Sequence, residues 1–182
     1  DNMIKINENR VEPAEIENAF RRITGMKQVI AKGFTDGENA FVCVYYADNV
    51  GIDTEQVRTE MLKTLPYYII PSRFIKLDKL PRTQSGKLSR RLLPKPETET
   101  VRSTYTAPAN PTEKLLCDSM AQVLGLSNVG ADEDFYELGG SSVSSMKLIV
   151  SCPLEGLDIG MIFAGRTPQK IASLYLETRM SA

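Results

Sequence analysis

Glu137-Leu138-Gly139-Gly140-Ser141-Ser142-Val143 is the stretch on which the reading of this chain turns. Two adjacent glycines allow a sharp bend without Cβ clashes, and the apolar spacing of a helix begins directly after them, at Val143, Met146, Ile149 and Val150. This predicts a serine, Ser142, held out on a tight bend at a helix N-terminus. There the free N–H groups and the positive end of the helix dipole favour an attached phosphate. Taken alone, Gly-Gly-Ser-Ser reads first as a glycine turn closed by a serine N-cap, and it is the surrounding sequence that turns the reading.

Composition narrows the classes. The chain has 182 residues, 42% hydrophobic and 25% charged, enough for two small domains and typical of a globular protein. No apolar run is long enough to span a bilayer. It contains no histidine, which removes the commonest general base and metal ligand and excludes a Ser-His-Asp mechanism on its own residues. Cys43, Cys117 and Cys152 have no metal-ligand spacing and read as reduced core thiols of a cytoplasmic protein, with no metal site. The first hundred residues carry a net +2 and the remainder −3, too little positive charge for nucleic acid; the acidic half suits a small domain that docks on basic partners. A first residue that is Asp1, with ordered structure predicted at once, reads as a segment of something longer.

Local patterns predict an α+β domain, a small sheet with helices packed on it, followed by an all-α four-helix bundle. Met3-Ile4-Lys5-Ile6 and Arg10-Val11-Glu12 flank Asn7-Glu8-Asn9, residues that tolerate positive φ, and predict a hairpin. Pro13 opens a helix with Ile16, Ala19, Phe20 and Ile23 inward, closed by Gly25. Residues 29–34 and 40–46 predict a second hairpin. Asp53 or Thr54 caps a helix burying Val57, Met61, Leu62 and Leu65; a strand over 73–77 and a short helical piece over 89–93 follow. Beyond a polar linker, helices are predicted to start at Pro111-Thr112, after Ser142, over 157–163 and at Thr167-Pro168. The second of these ends early, near Cys152-Pro153. The boundaries are 1–96, 97–110 and 111–182.

Three motifs carry a resemblance. Asp134-Phe135-Tyr136-Glu137-Leu138-Gly139-Gly140-Ser141-Ser142-Val143 resembles the phosphopantetheine-attachment motif of peptidyl carrier domains, with Asp or His more usual at Ser141. Asp1-Asn2-Met3-Ile4-Lys5-Ile6 with residues 9–17 resembles the start of the C-terminal subdomain of adenylate-forming enzymes, especially nonribosomal peptide synthetase adenylation domains. Leu80-Pro81-Arg82-Thr83-Gln84-Ser85-Gly86-Lys87-Leu88-Ser89-Arg90-Arg91 resembles that family's last motif, the lysine loop, and Leu93-Pro94-Lys95-Pro96 the element that ties the linker back.

The resemblance implies 4'-phosphopantetheine on Ser142, placed there by a phosphopantetheinyl transferase from coenzyme A. It implies ATP and Mg2+ in the intact adenylation domain, with Lys87 as the mobile catalytic cation. A positive charge is what that reaction needs, because joining a carboxylate to the α-phosphate gathers negative charge on the phosphoryl oxygens. Asp1 falls at the family's hinge. Glu8 stands where the family has glycine, in a turn that lines the pantetheine path, and is expected to slow loading or to change the turn. Val143 and Met146 are candidates for partner docking or for core. Implied partners are the N-terminal adenylation lobe and a downstream condensation, reductase or thioesterase domain. Two other readings are a non-catalytic carrier and docking module with a degenerate first half, and a loader of a fatty-acyl or polyketide starter acid.

Overall fold

The computed structural model describes residues 3–6, 8–36, 39–96 and 105–181. They fall into two compact units, Asp1–Glu97 and Thr98–Ala182.

In the first unit, β1 (Ile4–Ile6) and β2 (Asn9–Val11) form the expected antiparallel hairpin, with Ile4 opposite Val11 and Ile6 opposite Asn9. Helix α1 (Pro13–Thr24) starts at a proline whose missing N–H costs nothing in the first turn. It stops at Gly25, whose φ of 75° lets its N–H turn back to the Arg21 carbonyl at 2.8 Å. Ile16, Ala19 and Phe20 are buried along its inner face. The long hairpin is β3 (Val29–Asp36) on β4 (Asn39–Tyr46), and β5 (Arg73–Lys76) adds to β4 in parallel, giving the order β3-β4-β5. Central β4 reads as a continuous apolar run because Val42, Cys43, Val44, Tyr45 and Tyr46 are all buried, on both faces.

Helix α2 (Thr54–Leu62) is capped by Asp53, whose carboxylate accepts from the Gln56 N–H at 3.1 Å. Its inner face corrects the expected one. Val57 and Met61 are buried, but Arg58, 1% exposed, joins them in place of Leu62 and Leu65. The Arg58 guanidinium donates to the Pro71 carbonyl at 3.0 Å and to that of Ser72, and lies 5.2 Å over the Phe74 ring. It thereby satisfies carbonyls of the chain entering β5. The helical piece expected over 89–93 is a turn instead. Arg90 and Leu93 both reach into the unit, and Pro94 disfavours a helical Leu93. Leu93 packs with Ile30, Cys43, Tyr45 and Leu80, and the Tyr45 hydroxyl donates to the Pro94 carbonyl.

The second unit has four helices among the described residues: α3 (Pro111–Leu124), α4 (Ser142–Ser151), α5 (Ile159–Gly165) and α6 (Pro168–Met180). Helix α3 packs on α4 and α6, and α5 on the same two. Helix α3 begins one residue after Asn110, whose side chain accepts from the Glu113 N–H at 2.8 Å while Glu113 accepts from the Ala109 N–H at 2.7 Å. Helix α4 ends at Ser151 because Cys152 precedes Pro153 and leaves helical φ/ψ. Helix α5 starts two residues later than expected, since the Asp158 side chain caps it through the Met161 N–H at 2.9 Å. No helix among the described residues is long and apolar enough to cross a membrane.

Candidate functional site

In the first unit Lys87 sits at the end of a closed turn. The Thr83 N–H donates to the Lys87 carbonyl at 2.8 Å, the Gly86 N–H to the Thr83 carbonyl at 2.9 Å, and the Lys87 N–H to Thr83 Oγ1 at 3.2 Å. Gly86 has a φ of 84°, which only glycine adopts freely, and its carbonyl accepts from the Arg82 guanidinium at 2.8 Å. A single bridge pairs Arg82 with Leu88. The tip is exposed and the base is fixed. Leu80 and Leu93 are buried on either side, the Ser89 N–H donates to the Pro81 carbonyl at 2.9 Å, and Arg90 reaches the Glu17 carboxylate. Glu17 also accepts from the Ala31 N–H at 3.0 Å, and Arg90 Nε donates to the Ala31 carbonyl at 3.2 Å. A cation is thus carried on a short arm with a rigid root.

Glu8 takes a φ of 69°, one of two non-glycine residues with positive φ among those described. The turn therefore keeps a backbone suited to glycine while presenting an exposed carboxylate. Asp1, the hinge candidate, lies outside the described residues.

In the second unit, residues 134–140 wind into a turn that delivers the chain to α4. The Asp134 carboxylate accepts from the N–H groups of Tyr136 (2.9 Å) and Glu137 (3.3 Å) and pairs with Arg166 at 2.6 Å. The Phe135 N–H donates to the Arg166 carbonyl at 2.8 Å, and Phe135 and Tyr136 are buried. Leu138 is only half-buried. Gly139 has a φ of 101°, and a Cβ on Gly140 would lie 2.5 Å from the Phe135 carbonyl oxygen and ring. Both glycines are required, the first for its backbone and the second for space.

Ser141 is the N-cap of α4 and Ser142 its first residue. A capping box closes the end: Ser141 Oγ accepts from the Ser144 N–H at 3.2 Å, and Ser144 Oγ from the Ser141 N–H at 2.6 Å. The Ser145 hydroxyl donates to the Ser141 carbonyl at 2.8 Å and lies 3.0 Å from the Tyr136 hydroxyl. Ser142 is 3% exposed, which corrects the expectation of a hydroxyl held out from the bend. Ser141, Ser144 and Ser145 around it are buried too, so the first turn of α4 is sunk rather than proud. The residues fit a phosphate ester, since a hydroxyl stands where the first N–H groups of a ten-residue helix and its dipole converge.

The apolar spacing of α4 faces the other way from a core helix. Ser144, Ser145 and Leu148 are buried, Val143, Met146 and Ile149 are half-exposed, and Val150 is 84% exposed. Sequence reasoning missed the Glu17 and Arg166 pairs. A signal existed for the first: Pro13, Ile16, Glu17 and Phe20 share one helical stripe, and a carboxylate on a buried stripe demands a partner.

Comparison with known proteins agrees with both halves. Residues 114–174 match the phosphopantetheine attachment site family. The chain is 35% identical over 183 residues to tyrocidine synthase 3 of Brevibacillus parabrevis, covering 98% of this chain and 3% of that protein. It is 39% identical over 151 residues to a dimodular nonribosomal peptide synthase of Bacillus subtilis (strain 168), covering 82% of this chain and 6% of that protein. The chain thus spans only a few per cent of these relatives. Among solved structures, a four-domain nonribosomal peptide synthetase bound to AMP and glycine matches 96% of this chain and 13% of its own, with 30% identity and a TM-score of 0.53. An adenylation–carrier pair in complex with phenylalanyl-adenylate shares the fold, with a TM-score of 0.63 at 18% identity over 96% of this chain and 32% of its own. Residues 114–174 thus match the phosphopantetheine attachment site family, and both halves of the chain are similar to nonribosomal peptide synthetases, a likeness that fits a C-terminal adenylation subdomain followed by a phosphopantetheine carrier domain.

Proposed function

We propose that this chain is the part of a synthetase module in which an acid activated with ATP and Mg2+ is handed to a carrier. Residues 1–96 act as the mobile adenylation subdomain, 97–110 as the linker and 111–182 as a four-helix carrier bundle. The observation that carries the reading is Ser142 at the first position of α4, behind a Gly-Gly turn and inside the matched 114–174 segment.

Ser142 provides the oxygen for a phosphodiester to 4'-phosphopantetheine, and the helix N-terminus stabilises the negative charge. When bound, that arm supplies a thiol able to hold an acyl group as a thioester. Because Ser142 is covered, a phosphopantetheinyl transferase acting with coenzyme A has to meet an opened first turn. Lys87 offers its ammonium from the exposed turn to the phosphoryl oxygens of the acid-activating step, while Glu17 and Arg90 hold the root of that turn. Val143 and Met146, half-exposed with Val150, form the apolar face on which partner domains dock. Those partners are the N-terminal adenylation lobe and a downstream condensation, reductase or thioesterase domain. Glu8 keeps the glycine-like turn but adds charge beside the arm's path. Free, buried Cys43, Cys117 and Cys152 suit a cytoplasmic setting. A degenerate, non-catalytic first half is not favoured, since similarity to synthetases runs through both halves.

The deciding experiment incubates the chain with coenzyme A and a promiscuous phosphopantetheinyl transferase and reads the intact mass. One phosphopantetheine is expected on the native chain and none on Ser142→Ala. Modification that persists in that variant would overturn the assignment. In the parent synthetase, Lys87→Ala is expected to slow adenylate formation by about a hundredfold or more, and an unchanged rate would remove its role.

A further inference from the structure

Tyr136 reaches the first turn of α4 from the bend that precedes it. Its ring is fixed in the core of the second unit, 1% exposed, with the Phe135 and Phe163 ring centroids at 5.4 and 5.7 Å. Its N–H is held by the Asp134 carboxylate at 2.9 Å. A ring so held delivers its phenol oxygen to one spot, 3.0 Å from Ser145 Oγ.

Counting protons gives this contact a direction. Ser145 has one hydroxyl proton, and it is directed at the Ser141 carbonyl at 2.8 Å, so Tyr136 donates to Ser145 Oγ. The two hydrogen bonds run in series and each polarises the next. The Ser145 N–H meets the same carbonyl at 2.8 Å. That carbonyl belongs to the planar peptide unit leading into Ser142, so whatever holds it also holds the Ser142 backbone. Ser145 is 0% exposed and Ser142 3%, which keeps both bonds away from water.

Phosphopantetheine transfer needs the opposite arrangement. Ser142 Oγ has to bond to the phosphorus of the pantetheine phosphate while the bond from that phosphorus to the nucleotide's phosphate breaks, the nucleotide leaves and the serine proton passes to the transferase. A covered serine cannot be approached in this way until the turn rises. We propose that Tyr136 is a positioning residue for this step: through Ser145 and the Ser141 carbonyl it latches the first turn of α4 down and sets how often Ser142 is offered to a phosphopantetheinyl transferase. The proposal rests on the reading of Ser142 as the attachment site. The affinity of a protein whose competent form is only a fraction of the whole is reduced by that fraction, so loosening the latch raises affinity without touching the chemistry.

The test compares the native chain with Tyr136→Phe, which keeps the ring and leaves the Ser145 hydroxyl on the Ser141 carbonyl, so that the second unit should fold; its melting temperature checks this. A promiscuous transferase and coenzyme A are used, with the rate of mass gain followed against chain concentration and amide hydrogen exchange measured in parallel. Loss of one neutral hydrogen bond should lower the transferase's KM for the chain about two- to tenfold with kcat unchanged, and exchange at Ser144 and Ser145 should quicken by a similar factor. Tyr136→Phe/Ser145→Ala, which strands neither hydroxyl, should do at least as much. Tyr175→Phe removes another phenol contact of the same unit, the bond to the Glu155 carbonyl at 2.9 Å, and should alter neither KM nor exchange in α4. An unchanged KM or unchanged exchange in Tyr136→Phe overturns the proposal, as does an equal effect of Tyr175→Phe. A native chain that takes up no phosphopantetheine overturns the carrier reading and the latch together, whereas a native chain modified at the same KM as Tyr136→Phe overturns the latch alone.

Discussion

Arg90 closes onto the Glu17 carboxylate across 73 residues of sequence, joining the segment after the lysine turn to helix α1. Glu17 is 6% exposed and also holds the Ala31 N–H of β3, so one carboxylate ties together a helix, a strand and the root of the turn. Glu17→Gln keeps the shape but removes the charge that answers Arg90. Breaking a buried pair usually costs about 3–5 kcal/mol, and the partial exposure of Arg90 places this one lower, at about 2 kcal/mol. Urea denaturation of the first unit measures it. Hydrogen exchange at Gly86 and Lys87 should quicken in the same variant, and unaltered exchange there would mean that the pair does not steady the turn.

Gly140→Ala tests the turn before α4. The added methyl would meet the Phe135 carbonyl oxygen and ring at 2.5 Å, both fixed in the core of the second unit. Overpacking of this kind costs about 1–3 kcal/mol. Thermal melting should report the loss in the second unit, and transfer of phosphopantetheine should slow alongside it. Gly125→Ala is the comparison: its Cβ would find open space, so its penalty is limited to the strain of a φ of 67°.

Glu8→Gly should move stability in the other direction. A non-glycine residue held at a φ of 69° carries about 1–2 kcal/mol of strain, partly offset by glycine's greater freedom when unfolded. A net gain of about 0.5–1 kcal/mol in chemical denaturation is expected. If loading of the carrier in the parent synthetase also quickens, Glu8 acts on the arm's path; if stability rises and loading does not change, its effect is confined to the backbone.

Alkaline pH should weaken the first unit. Burial pushes the Cys43 thiol from its ordinary 9.0 up to about 12, and burial followed by neighbouring Cys43 pushes the Tyr45 phenol up as well. Unfolded chains release these protons earlier than folded ones, so the thiol's contribution is complete below pH 9 and is lost as pH rises towards about 12. The slope for one such group is at most about 1.4 kcal/mol per pH unit. Urea midpoints between pH 8 and about 11 should therefore fall, and Cys43→Ala should flatten the fall. An equal slope in that variant would place the sensitivity elsewhere.

Much of this protein was legible in residue order because the relevant physics is local. Proline at the start of α1, α3 and α6 and glycine after α1 act within one helical turn, so those ends were readable to within a residue. Alternation and turn residues located both hairpins for the same reason. The Gly139-Gly140-Ser141-Ser142 and Ser85-Gly86-Lys87 turns were equally legible, since backbone freedom and side-chain chemistry belong to single residues.

Tertiary structure alone decided which face of each element is covered. The spacing of Val143, Met146, Ile149 and Val150 looked like a core stripe, yet α4 buries Ser144, Ser145 and Leu148 because the Tyr136 hydroxyl meets Ser145 there. Arg58 took an apolar position in α2 because the carbonyls of Pro71 and Ser72 needed a donor, and residues 89–93 gave up a helix so that Arg90 could reach Glu17. Burial of Ser142 belongs to the same class. A turn, a cap or a break is settled by neighbours in sequence, whereas the side of a helix that meets solvent is settled by polar groups brought from far along the chain, whose burial is tolerable only once they find each other.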